Sequence, residues 1–221
     1  MNIQKSSITL LVKDQPAQAY LAAPEGGGPG VLVLHAWWGL KPFIKEFCDR
    51  LAQQGFTVLA PDLFKNSTAD TIKEAESLVE NSDPEFIRGV VAAATDYLAD
   101  ISSTKTIGAL GFSFGAAWAL VAAENTPDQV SAAVLFYGSY PMDFKRIKAK
   151  ILGHFAEVDD FEPLDSLREM ETDLKALGLD VTIYLYPAVS HWWMEEDRPQ
   201  YDPEAAERAW QRTVDFLKAS L

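Results

Sequence analysis

The chain predicts an α/β fold, a mostly parallel sheet of about eight strands with helices on both faces and no separate lid domain. Three observations carry that expectation. Short continuous apolar runs such as Gly30 to Leu34, Thr57 to Ala60 and Val130 to Phe136 recur along the chain, as in strands buried on both faces. Amphipathic helical stripes separate them, the alternation that builds parallel crossovers. One strand-to-helix junction, Gly111-Phe112-Ser113-Phe114-Gly115, sets glycines two residues either side of a serine, as a very tight turn requires.

Taken in order, Ile8 to Val12 and Gln18 to Ala23 are extended runs that read as a hairpin around Asp14-Gln15-Pro16. Glu25 to Gly30 is a glycine-rich loop, too short for a domain linker. After the strand Gly30 to Leu34, Phe43, Ile44, Phe47 and Leu51 form a helical stripe behind Pro42. Thr57 to Ala60 is a strand closed by Pro61-Asp62. Asp83-Pro84 caps a helix whose inward face is Phe86, Ile87, Val90, Val91, Ala94, Leu98 and Ile101. Thr106 to Leu110 leads into the Ser113 turn and a helix from Ala116 to Glu124. Strands Val130 to Phe136 and Ile151 to Phe155 follow, then a helix from about Pro163 to Leu177 stopped at Gly178. The strand Val181 to Tyr186 and a helix capped by Asp202-Pro203 complete the order. No repeat or low-complexity tract interrupts it, so residues 1–221 are expected to form one domain.

Bulk properties narrow the function. With 48 % hydrophobic residues the composition is that of a globular protein with ample core. The 32 acidic against 19 basic residues leave a formal charge of −13, which argues against nucleic acid and anionic membranes as partners, since both need cationic surfaces. No run of about 18 apolar residues and no charged-then-apolar leader occurs, and the single cysteine, Cys48, allows no internal disulfide. A cytoplasmic protein, monomeric or a small homo-oligomer, is expected. No metal is expected, because paired cysteines, clustered histidines and carboxylate-rich spacings are absent. No cofactor is expected either: Gly26-Gly27-Gly28 lacks the lysine and the helix of a phosphate loop.

A serine lifted above a sheet edge at a helix N-terminus suits nucleophilic catalysis, but its hydroxyl needs a base at neutral pH. Only His35, His154 and His191 are available. In an α/β-hydrolase fold the order is serine, acid, histidine, so His35 precedes the serine and is set aside. His154 falls inside a strand, where packing is the plainer role. His191 follows the last strand, at the edge where the base must sit. The acid is expected after the strand ending at Phe155, in Glu157-Val158-Asp159-Asp160; local pattern favours Asp159 over Asp160. The oxyanion donors are expected from the amides of Phe114, next after the serine, and of Trp37, in the loop after Leu34. Trp38, Phe64, Tyr137 and Trp192 are the aromatics expected to line the substrate pocket, favouring a neutral apolar or aromatic ester or lactone. Cys48 reads as buried filler.

The segments Leu32 to Gly39, Ala60 to Phe64, Gly111 to Gly115, Phe136 to Gly138, His154 to Pro163, Tyr186 to His191 and Asp197 to Pro203 together resemble the dienelactone hydrolase family over essentially the whole chain. That resemblance places the family's acid on Asp159, its base on His191 and its oxyanion amides on Trp37 and Phe114. It implies a hydrolase of small carboxylic esters or lactones. Three departures stand out. Well-studied members carry cysteine where this chain has Ser113, and a glutamate where it has Ala36. An arginine that holds an anionic substrate, four residues past the histidine, is here Glu195. With Glu196 and Asp197 following, this chain is expected to repel an anion at the mouth of the site. A thioesterase or acyltransferase on the same triad, and a catalytically silent binding module, are the competing expectations.

Overall fold

The computed structural model describes residues 2–221. Along the chain run β1 (Ile3–Val12), β2 (Gln15–Pro24), β3 (Gly30–Leu34), α1 (Pro42–Gln53), β4 (Thr57–Pro61), α2 (Ile72–Glu80), α3 (Pro84–Ile101) and β5 (Ile107–Phe112). Then follow α4 (Phe114–Asn125), β6 (Val130–Phe136), β7 (Lys150–Ala156), α5 (Leu164–Ala176), β8 (Val181–Tyr186) and α6 (Pro203–Ser220). The eight strands form one sheet in the order β1-β2-β4-β3-β5-β6-β7-β8. β2 pairs antiparallel with β1 and β4, and every other pairing is parallel. β5 is therefore a central strand, and its end lies beside the ends of β3 and β6.

Strand residues alternate between two cores, as the pleat demands. Val31, Val33, Leu110, Phe112, Val134 and Phe136 face α1 and α6. Leu32, Leu34, Ala109, Ala133 and Leu135 face α3, α4 and α5. The central strands β3 to β7 are covered on both sides and have no polar face, which is why they are continuous apolar runs, whereas β1 at the edge is largely exposed. Helix α4 is apolar nearly all round because most of it is buried, including Gly115, Ala116 and Ala119 through Ala123.

Two elements differ from the sequence reading. The hairpin turns on Lys13-Asp14, both with positive φ of 46° and 66°, so β1 and β2 are each ten residues long and pair through Val12 and Gln15. Pro16 sits inside β2, opposite Leu11. Helix α2 has no counterpart in the sequence reading. Thr71 and Glu74 form a reciprocal capping box at its start, a signal present in the letters Thr-Ile-Lys-Glu. Its apolar face is short, Ala75 with Leu78 and Val79, which is why periodicity alone passes over it.

Candidate active site

Ser113 is the hinge between β5 and α4. Its φ of 49° and ψ of −113° are a backbone conformation that costs a non-glycine residue roughly 1–3 kcal/mol. The surroundings hold it there. Its N–H donates to the Phe136 carbonyl at 2.9 Å and its carbonyl accepts from Ala116 N–H at 2.8 Å. The flanking glycines are steric necessities: a Cβ on Gly111 would lie 2.1 Å from the Gly115 carbonyl oxygen, and one on Gly115 would lie 2.2 Å from that of Leu34. The turn thus raises the serine hydroxyl at the sheet's C-terminal rim.

His191 comes to that hydroxyl from the loop after β8. Ser113 Oγ and His191 Nε2 are 2.8 Å apart, and His191 Nδ1 is 2.7 Å from Asp159 Oδ2. Asp159 stands in the loop after β7, and its other oxygen accepts from the amides of Phe161 and Glu162 at 2.9 and 3.1 Å. Asp160 is exposed. The imidazole packs among Tyr137, Trp192 and Phe161, with ring centroids 4.9, 5.0 and 5.2 Å away. Both imidazole and carboxylate are nearly sealed from solvent, at 5 % and 1 % side-chain exposure. An imidazole bonded to a carboxylate on one nitrogen presents its other nitrogen to the serine as a proton acceptor.

The loop after β3 is pinned by His35, which is fully buried. Its Nδ1 is 2.7 Å from the Ala36 carbonyl, and its Nε2 accepts from Leu63 N–H at 3.0 Å. Accepting at Nε2 leaves the proton on Nδ1, and burial pushes the imidazole below its ordinary pKa, so it is neutral. Gly39 N–H also donates to the Ala36 carbonyl, at 3.2 Å. That carbonyl belongs to the same planar unit as the Trp37 N–H, so both bonds fix the direction of the amide. Among the described residues neither the Trp37 nor the Phe114 amide donates to an acceptor. Phe114 opens α4, where first-turn donors have no helical partner.

These residues surround a cleft of about 250 Å³, lined by Ser113, His191, Trp37, Phe114, Tyr137 and Phe161, with Val79 from α2 and Glu162 from the loop after β7 on its wall. Of the four aromatics expected in the pocket, only Tyr137 lines it. Trp38 is buried beneath the Arg198 guanidinium, 4.0 Å above its ring, and faces a separate recess with Asp70 and Ile72. Phe64 is wedged between His35 and Phe114, at 5.3 and 5.4 Å, on a recess shared with Leu78 and Phe86. Trp192, at a left-handed φ of 67°, stacks behind the wall on Trp37 and Phe161 and opens onto the Trp38 recess. Side-chain direction in irregular loops follows from these backbone angles, which spacing in sequence does not encode. Val79 and Glu162 were legible only through the overlooked capping box and the turn after Asp159.

The expected repulsion by Glu195 also requires correction. Glu195 is 2 % exposed and accepts a 2.8 Å hydrogen bond from the Tyr137 hydroxyl. Burial, with Asp197 nearby, pushes its carboxyl up to about 8, against the opposing pull of the Tyr137 bond, Arg198 and Lys41. It is therefore an internal partner of Tyr137 and largely uncharged at neutral pH. Asp197 is paired with Arg198 and Lys41. The lining of the cleft itself includes Glu162 and neither lysine nor arginine.

His154 and Cys48 lie apart from the cleft. His154 is fully buried between the Tyr186 and Thr213 hydroxyls at 2.9 and 3.1 Å, and burial with nearby Arg212 pushes it down to about 3. Cys48 is fully buried, and desolvation raises its thiol well above the ordinary range, so it offers no thiolate. Among the described residues no cluster of three or more His, Cys, Asp or Glu side chains is arranged to hold a metal ion, and no helix is long and apolar enough to cross a membrane.

The chain is similar to several known proteins. The chain is 36 % identical over 216 residues to "Protein usf" of Aquifex pyrophilus, covering 92 % of this chain and 94 % of the relative. It is 34 % identical over 217 residues, at the same coverages, to a protein of Aquifex aeolicus that carries the carboxymethylenebutenolidase name. In fold it is similar to a dienelactone hydrolase-like promiscuous phosphotriesterase from metagenomic libraries, with a TM-score of 0.88 at 22 % identity over 100 % of this chain and 99 % of the other. The dienelactone hydrolase of Anabaena variabilis superposes with a TM-score of 0.76 at 23 % identity, covering all of both chains. The family model described as "Dienelactone hydrolase family" matches residues 17–221, and the chain belongs to that family.

Proposed function

We propose that this protein is a serine hydrolase of small carboxylic esters or lactones, working through an acyl-enzyme on Ser113, His191 and Asp159. Membership of a family of ester and lactone hydrolases supports the reaction class. The carrying observation is the continuous chain of hydrogen bonds from Asp159 through His191 to the Ser113 hydroxyl, at 2.7 and 2.8 Å. In this reading His191 Nε2 takes the Ser113 proton as Oγ bonds to the carbonyl carbon. Asp159 holds Nδ1–H in place and stabilises the imidazolium. The amides of Trp37 and Phe114 receive the developing oxyanion, and His35 is a positioning residue that aims the first of them. His191 then returns the proton to the departing alkoxide as the carbon–oxygen bond breaks. A water, deprotonated by the same imidazole, releases the acid and restores Ser113. The substitution of alanine for glutamate at position 36 accords with a hydroxyl nucleophile, which has no thiolate for a carboxylate to manage.

Replacing Ser113 by alanine tests this directly. Turnover of a short-chain aryl acetate is expected to fall by at least about 10⁴-fold while circular dichroism and melting behaviour stay near those of the parent. Retained turnover would overturn the assignment.

A further inference from the structure

Beyond the Ser113 cleft lies a larger cavity of about 330 Å³, walled by the chain after β6 and the first turns of α5. The two cavities share Ser139, Phe161 and Glu162 in their linings, so they adjoin at these side chains. We propose that this outer groove is the subsite for the alcohol part of the ester, and that it selects uncharged, apolar alcohols. The inference rests on the hydrolase reading above and adds the direction and chemistry of its selectivity.

Direction follows from the proton. His191 Nε2 must hand its proton to the departing alkoxide, so the alcohol leaves from the imidazole's side of the carbonyl carbon. Phe161 lies against that imidazole, at 5.2 Å between centroids, and its ring also lines the outer groove. A chain attached to the leaving oxygen is thereby led past Phe161 into the groove. Chemistry follows from the lining. Met142, Phe144 and Met170 supply apolar wall, and Tyr140 and Phe161 are large apolar side chains left 46 % and 47 % exposed at its edge. Burying them under an alkyl or aryl group is favourable. The charged groups in the lining are Glu162, Glu169 and Asp173, with no lysine or arginine to receive an anion. Glu162 is held in place by the Ser139 amide and hydroxyl, so it stays beside the junction of the two cavities. A carboxylated alcohol meets repulsion there and finds no cation to offset it.

The isomers hexyl acetate and ethyl hexanoate carry the same atoms and differ in which side of the carbonyl bears the long chain. The expected ratio of kcat/KM, hexyl acetate over ethyl hexanoate, is about ten or more. Ser166, an exposed residue of α5 on the groove, is the site at which to fill it: Ser166→Trp is expected to bring the ratio close to one. Glu169→Lys provides a second, independent reading. It is expected to raise kcat/KM for the acetate of ω-hydroxyhexanoate about tenfold relative to hexyl acetate. A parental ratio at or below one, or a ratio that Ser166→Trp leaves unchanged, would overturn the subsite while leaving the hydrolase intact. If neither isomer is turned over and a fluorophosphonate does not label Ser113, the underlying reading itself fails.

Discussion

All three histidines of this molecule are buried and bonded through both ring nitrogens, and two of them, His154 and His191, differ most in what those partners are. His154, in β7, lies between the hydroxyls of Tyr186 and Thr213 inside the core under α6. Hydroxyls satisfy it without stabilising a cation, and burial beside Arg212 holds its pKa to about 3, so it stays neutral. His191, beyond β8, is just as enclosed, but one partner is the Asp159 carboxylate and the other is a serine facing a cleft. In the mechanism proposed above, that carboxylate supports the imidazolium and the cleft side is where its proton is passed on. Under that proposal, burial alone does not separate a structural histidine from a reactive one; the charge of its partner and its exposure to the cleft do.

The sharpest way to break that contrast is to remove one partner from each ring. Asp159→Asn is expected to lower kcat by on the order of 10³- to 10⁴-fold, because the tautomer and the imidazolium both lose their support. Thr213→Val is expected to leave kcat near that of the parent and to cost about 1–2 kcal/mol in urea denaturation, the penalty of an unpaired buried nitrogen. Equal effects of the two variants on kcat would remove the distinction.

His35 sharpens the contrast from a third position, as a buried neutral ring that the proposed mechanism has acting through backbone. His35→Ala is expected to reduce kcat roughly 10- to 100-fold with KM little changed, since the Trp37 amide loses its anchor at Ala36. His35→Asn, whose amide can still reach the Ala36 carbonyl, should recover part of that loss. A merely structural role would instead lower stability and leave the turnover of folded enzyme intact.

The expected effect furthest from turnover concerns the stability contributed by Glu195, which titrates behind Tyr137. Its folded pKa of about 8 lies above the ordinary 4.5, so the folded state binds the proton more tightly than the unfolded chain. The stabilisation is complete below about pH 4.5 and is lost as pH rises toward about 8. Relative to Glu195→Gln, which keeps the acceptor for the Tyr137 hydroxyl, the parent should lose up to a few kcal/mol between about pH 5 and pH 8 in paired melts. Parallel stability profiles would mean that Glu195 is already charged in the folded protein.

Much of this architecture is local and therefore readable from the chain. Continuous apolar strands, helices begun at Asp83-Pro84 and Asp202-Pro203, and the glycine-flanked serine each follow from rules acting within a few residues. Chain order sets aside His35, placement in a strand sets aside His154, and local pattern with the family resemblance favours Asp159 over Asp160; the candidates so chosen, Ser113, Asp159 and His191, lie together in the structure. Helix α2 was legible too, through its Thr71–Glu74 box, but its short apolar face hid it and with it Val79.

What the amino-acid order determined by itself, then, is where backbone hydrogen bonding and steric relief force each strand, helix and turn, because those forces act between neighbours. Only the tertiary structure decided which aromatic rings face the cleft, since Trp38, Phe64 and Trp192 are aimed by loop angles and by distant partners. It also decided that Glu195 is an enclosed partner of Tyr137, because burial is a property of the whole packed chain and a charge written in sequence carries no depth.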